Sequence, residues 1–227
     1  VEGLLKVADE NKGQEIGEKA LYGAFAASRD KRDLRKEREI GERFIKEYAK
    51  SQYLSDVMLT LGRHAAEAGR FQDAAAYYEQ MGKQFSGDSA GLDSLLASAR
   101  LRLAMGDNAG AVKVLETSAE QAGARKAEVL LLLAQTQMKL KAPAKARATA
   151  EQVMKLDKTN AAAAAIICEV AASSPGEKPE PLIAMLTPVT NNPNASGDDA
   201  AKALWYLGEI MYRSFKALPA SEVEAKV

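Results

Sequence analysis

The chain has 227 residues, 31 Lys+Arg against 31 Asp+Glu, and is 47% hydrophobic but only 6% aromatic. The balanced charge supplies no overall attraction to nucleic acid or to an anionic membrane surface. A single cysteine, Cys168, excludes an intrachain disulfide and a thiolate zinc cluster. Alanine dominates the apolar residues, accompanied by Leu, Lys, Glu and Arg, which favour helix, and β-branched runs of period two are absent. The expected fold class is therefore all-α. The longest apolar runs, "VLLLLAQ" and "AAAAAIIC", fall far short of the ~20 residues that span a bilayer, so no direct membrane insertion is expected of this segment. The first residue is Val1 rather than methionine, and we expect a leading segment to have been removed.

In chain order, "LLKVADENKG" reads as the tail of a helix, so residues 1–13 are expected to be a tail or the end of a preceding helix. "EIGEKALYGAFAAS" and "DLRKEREIGERFIKEYAKS" predict a divergent first helix pair over 14–54, with Leu34, Ile40, Phe44, Ile45 and Tyr48 as an apolar stripe. Three further pairs fill 55–160, at about 55–68/71–84, 92–105/108–121 and 127–140/143–157, turning at "AGR", "MGD" and "LKAP". Pro143 suits the first turn of a helix, where its missing N–H costs nothing. "SGDSAG" and "DKTN" separate the pairs and offer capping side chains. Residues 161–200 predict an irregular repeat: "AAAAAIICEVAA" as first helix, a loop "SSPGEKPEP", then "PLIAMLTPVT" as a short second helix. "AAKALWYLGEIMYRSF" opens the last segment, 201–227, a truncated repeat or cap whose partner helix would start at "SEVEAK".

The three central pairs align on one another. Gly69 falls on Gly106, Ala74 on Ala111 and Tyr78 on Leu115, and Ala146 takes the same place as Ala74 and Ala111. The alanine steps are 37 and 35 residues (111 − 74 and 146 − 111). A small residue also recurs in each first helix: Gly62, Ala99, Ala134, Cys168 and Gly208. Two antiparallel helices approach closely only where a side chain is small. Gly62 and Ala74 are the contact points this predicts within one pair, with Tyr78 filling the space toward the next.

These features resemble the tetratricopeptide repeat (TPR), a helix-turn-helix unit of about 34 residues. The resemblance rests on Leu61-Gly62, Leu207-Gly208, Ala74 with Tyr78 four residues on, and Leu156-Asp157-Lys158, where Lys stands for the family's Pro. It covers roughly residues 20–220. It implies a right-handed superhelical α-solenoid of antiparallel helix pairs, about five repeats with the outer ones degenerate. It also implies a non-enzymatic scaffold that binds a protein or peptide partner. A narrower resemblance is carried by Tyr48-Ala49-Lys50-Ser51, similar to the Tyr-Pro-x-Ser of bacterial cell-envelope members, the outer-membrane assembly lipoproteins and Tol-Pal-associated proteins. It implies a periplasmic or envelope-associated complex. A cytoplasmic assembly scaffold and a structural, self-associating solenoid are the alternatives.

Residues that could carry chemistry are few. His64 is the only histidine and has no convergent partner set; it is expected on a helix flank, at the surface or half-buried. Cys168 occupies a packing slot and is expected to be a buried structural thiol. The mixed run "RDKRDLRKERE" reads as a solvated helix face with i,i+4 ion pairs. Phosphate-loop, dinucleotide, zinc-protease and calcium-loop motifs are absent. No enzyme activity, no cofactor, no metal and no nucleic acid are expected.

Where a partner would bind follows from the resemblance, which implies that first helices line the concave face. Carried over helix by helix, one inward row is Leu59, Leu96, Leu131, Ala165 and Trp205. A second is Arg63, Arg100, Gln135, Glu169 and Glu209, and a third is Ala66, Leu103, Met138, Ala172 and Tyr212. The candidate groove residues are Leu59, Arg63, Leu96, Arg100, Leu131, Gln135, Met138, Trp205, Glu209 and Tyr212. Leu96 and Leu131 are equally well read as packing between neighbouring helices. Relatives that clamp a C-terminal carboxylate use Lys and Asn in these places, which Leu59 with Arg63, or Leu96 with Arg100, do not reproduce.

Overall fold

The computed structural model describes residues 1–194 and 197–217, and among these every regular element is a helix. The helix expected from "SEVEAK" lies outside the described residues. The chain divides into two compact units, Val1–Asp107 and Asn108–Val227. The division falls between the helices expected at 92–105 and 108–121.

The first unit contains α1 (Glu2–Glu10), α2 (Glu15–Asp30), α3 (Leu34–Glu47), α4 (Leu54–Glu67), α5 (Phe71–Gln84) and α6 (Ser89–Ala104), each packed against the next. Its core gathers Leu21, Ala24, Phe25, Ile40, Phe44, Leu54, Met58, Leu61 and Met81. Close approach is set by small residues, as the repeat implied. A Cβ on Gly62 would stand 2.8 Å from the Tyr78 ring. That places Tyr78 over Gly62 within one helix pair, which corrects its expected role as filler toward the next pair. The ring takes the space because glycine leaves α4 bare at the crossing.

The helix-to-helix turns repeat in atomic detail. After α2, α4 and α6, a residue in the left-handed region closes the helix: Arg32 (φ 55°), Gly69 (φ 73°) and Gly106 (φ 80°). In each case two N–H groups bond back to the helix, Arg32 to Arg29 and Asp33 to Ser28, Gly69 to Ala66 and Arg70 to Ala65, Gly106 to Leu103 and Asp107 to Arg102. These bonds satisfy the last carbonyls of the helix, which otherwise have no intrahelical partner.

The second unit contains α7 (Asn108–Gln121), a 3-10 turn at Gly123–Arg125, α8 (Lys126–Lys139), α9 (Pro143–Leu156), α10 (Ala161–Ala172), α11 (Pro179–Thr190) and α12 (Gly197–Lys216). The turn after α8 has the same closure, with Lys141 (φ 55°) bonding to Met138 and Ala142 to Gln137. The left-handed positions 32, 69, 106 and 141 thus recur at steps of 37, 37 and 35 residues (69 − 32, 106 − 69, 141 − 106). This closure makes α2–α3 a regular member of the series, although its sequence reads as divergent.

α10 is apolar on almost every side and is buried accordingly. It packs against α9, α11 and α12, with its most extensive contact on α12. Pro143 opens α9 as expected. The Asn160 side chain accepts from the Ala163 N–H at 3.0 Å and caps α10. Asp88, the residue before α6, makes no such side-chain bond, so "SGDSAG" does not supply the cap expected there. Within the small-residue series, Ala99, Ala134 and Cys168 are fully buried. Gly208 departs from it: it is exposed, and among the described residues no atom of another element lies within 4 Å of where its Cβ would stand.

Candidate functional site

The expected partner-facing residues are carried on α4 and α6 in the first unit and on α8 and α12 in the second. On α4, the spacing of Asp56, Leu59, Thr60 and Arg63 puts all four on one helix face. With Arg29 of α2 and Tyr78 of α5 they line a depression of about 520 Å³. A second depression of about 300 Å³ is lined by Leu59, Tyr78, Met81, Ala90, Asp93, Ser94 and Ala97. Leu59 and Tyr78 belong to both, so one shallow groove runs over α4 and α5 to the N-terminal half of α6.

Its chemistry is an apolar floor beside charged groups that differ in how they are held. Leu59 is 42% exposed although large and apolar. Asp56 accepts from the Tyr22 hydroxyl at 3.0 Å and from Arg29 at 3.4 Å, and Tyr22 stacks on Tyr53 at 4.2 Å between ring centroids. That end of the groove is therefore already neutralised and stiffened. Arg63 is exposed and has no hydrogen-bond or ion-pair partner among the described residues. Burial raises the pKa of the Tyr78 hydroxyl and the nearby Arg63 charge pulls it back down, so the guanidinium lies within electrostatic reach of the ring.

The remaining expected residues are placed less uniformly. Arg100 is exposed on α6. Leu96 is only 1% exposed and belongs to the core, because the α6 face that carries it is turned inward; it is not a groove residue. On α8, Leu131 and Met138 are half-buried and Gln135 is exposed. On α12, Trp205 and Tyr212 are 62% and 58% exposed and Glu209 is exposed as well. Ala165 is buried, and Glu169 is tied to Lys202 at 2.6 Å. Arg29, Asp56, Thr60 and Tyr78 are groove residues missed from the sequence. The i,i+3/i+4 spacing on α4 was the signal available for two of them.

The charged run at 29–39 is corrected at one position. Arg35–Glu39 and the overlapping Arg38–Glu42 form the expected i,i+4 pairs at 3.1 and 2.8 Å. Glu37, however, is buried at 1% exposure, with its Oε1 2.7 Å from His64 Nδ1. Its Oε2 is buried with no hydrogen-bond partner among the described residues. The single histidine therefore serves to pair a buried carboxylate across α3 and α4. Cys168 is buried too, and burial pushes its thiol up to about 11, far from the range of a nucleophilic thiolate. No cluster of three or more metal-ligating side chains occurs among the described residues. Among those residues, no helix is long and apolar enough to cross a membrane.

No family model and no curated protein matches the chain. Solved structures that resemble it include MamA, at 13% identity over 85% of this chain and 96% of that one, with a TM-score of 0.47. A tetratricopeptide repeat protein from Parabacteroides merdae ATCC 43184 has 15% identity over 87% of this chain and 68% of that one, with a TM-score of 0.47. Pseudomonas aeruginosa PilF has 12% identity over 97% and 99% of the two chains, with a TM-score of 0.48. The repeat itself is carried by this chain's own recurring turns and small-residue crossings, and its architecture is all-α and TPR-like.

Proposed function

We propose that the chain is a non-enzymatic protein-interaction scaffold. Its first unit holds a segment of another protein in the α4–α5–α6 groove. The observation that carries this is Arg63, exposed and without an ion-pair partner among the described residues, beside an exposed Leu59 in a continuous depression. The segment it suits is extended or helical, with an apolar side chain over Leu59 and Tyr78 and an acidic one at Arg63. Arg100, exposed in the corresponding place on α6, extends the basic character. A charge-assisted hydrogen bond contributes when it is desolvated and little when it stays in open solvent, so the apolar floor is part of the recognition. The state of Cys168 supports the non-enzymatic reading, since a buried thiol pushed up to about 11 is not poised for nucleophilic chemistry. The Tyr48-Ala49-Lys50-Ser51 motif supports a place in a bacterial envelope complex.

Arg63→Glu combined with Arg100→Glu is expected to weaken capture of the natural partner by about tenfold or more without unfolding the protein. Capture by the wild type is expected to fall with added salt. A pull-down from the source organism, with circular dichroism as the folding control, measures this. Equal recovery of the same partners by the double variant would sink the groove reading.

A further inference from the structure

Among the described residues, one helix face of the second unit is uncovered. α12 turns Ala203, Leu207 and Ile210 inward, toward the elements it packs on. On its other side Leu204, Trp205, Met211, Tyr212 and Phe215 are each between 46% and 62% exposed. With Gly208 between them they recur at three- and four-residue steps, the spacing of a helix–helix seam. Surface residues of this kind are unremarkable singly, but a contiguous stripe of large apolar side chains marks an association surface, and aromatic residues are enriched at such surfaces. Gly208 has open space where a Cβ would stand, so none of the described residues keeps another helix from approaching closely at the centre of the stripe.

We propose that this stripe is the interface between two copies of the chain, with the two α12 helices antiparallel about a two-fold axis at Gly208. Charge selects this occupant and this direction. On the side of the stripe α12 begins with the exposed Asp198 and ends with the exposed Lys216, whereas Arg213 donates to the Ala172 carbonyl on α10. An antiparallel pair sets the acidic start of each helix beside the basic end of the other, at both ends of the interface, and also opposes the two helix dipoles favourably. A parallel pair would place like charges together. Turning one helix about Gly208 also brings residue 201 opposite 215 and 205 opposite 211, so small faces large and Trp205 meets Met211. A self-complementary patch of this kind closes as a dimer rather than growing. The dimer does not rest on the groove of the first unit, and the Arg63 and Arg100 variants leave it unchanged.

The test uses the whole chain. Trp205 is the only tryptophan, so its emission reads this interface without interference. Sedimentation is expected to show a reversible monomer–dimer equilibrium, with Trp205 emission moving to shorter wavelength as the dimer forms. Met211→Glu, an exposed position, is expected to raise the dissociation constant roughly tenfold or more while leaving the monomer's helicity intact. Asp198→Lys and Lys216→Asp are each expected to weaken the dimer, and the two together to restore it. In a Cys168→Ser background, Ala201→Cys is expected to cross-link with Phe215→Cys in a mixture, in preference to cross-linking with itself. A monomer at every concentration, with Trp205 emission unchanged, would overturn the proposal. A dimer unaffected by Met211→Glu, or cross-linking 201 to 201, would overturn it equally.

Discussion

At the scale of single residues, backbone angle and side-chain size decide positions that composition leaves open. Lys141 holds the left-handed conformation that Gly69 and Gly106 hold at equivalent turns. A side chain there costs about 1–2 kcal/mol, partly offset by the greater freedom glycine has when unfolded. Lys141→Gly is therefore expected to stabilise the protein by about 0.5–1 kcal/mol, and Gly69→Ala to destabilise it by about 1 kcal/mol. Opposite shifts in thermal melts would mean that the turns are not equivalent. At Gly62 the constraint is space: Gly62→Ala sets a Cβ against the Tyr78 ring and is expected to cost about 1–3 kcal/mol. Glu177 is a third case. Its carboxyl is held below its ordinary value of 4.5 because Arg147 donates to it, with burial opposing. A carboxylate with a lowered folded pKa stabilises fully above that ordinary value and loses the contribution as pH falls through the folded one. The stability gap between wild type and Glu177→Gln is thus expected to be constant above about pH 5 and to close below 4.5. Melting temperatures across that range measure it, and a gap that widens in acid would contradict the assignment.

At the scale of elements, the connection from α10 to α11 is the informative one. Its Pro175, Gly176 and Pro179 prevent helix across 173–178, and Lys178 is exposed. The segment is nonetheless tethered, because Arg147 on α9 meets Glu177 with two parallel hydrogen bonds of 2.9 and 3.0 Å. The turns at Gly69 and Gly106 are short and closed by two backbone bonds each. Limited proteolysis is therefore expected to cut first at Lys178, and Arg147→Ala to speed that cut severalfold. An Arg147→Ala rate equal to wild type would show that the fork does not hold the loop, and first cleavage at the glycine turns would show that those turns are the looser segments.

At the scale of the whole molecule, the two units carry different reporters. Cys168 and Trp205, each unique in the chain, both lie in the second unit, whereas Tyr22, Tyr48, Tyr53, Tyr77 and Tyr78 lie in the first. Cys168 is enclosed in the most buried helix of its unit, so a thiol reagent reaches it only when that packing opens. Labelling of Cys168 is expected to rise over the same denaturant range in which helicity is lost by circular dichroism. Fast labelling in the absence of denaturant would mean that α10 opens locally.

The helices were legible in the sequence because each is long enough to show its period and ends at a residue with a mechanical role. Pro143 starts α9, Asn160 caps α10, and Gly69 and Gly106 close α4 and α6. The repeat was legible because close crossings demand small side chains, and these recur at Gly62, Ala99 and Ala134. What stayed hidden depends on which neighbour a helix face meets, and a helix period does not name that neighbour. Leu96 and Leu59 occupy equivalent places in two helices, yet one is core and the other groove. Glu37 sits in a run of charges that reads as solvated, and burial against His64 is visible only once α3 lies on α4. Gly208 carries the repeat's own signature yet meets no other element among the described residues, because packing depends on the element lying across a residue as well as on the residue's size.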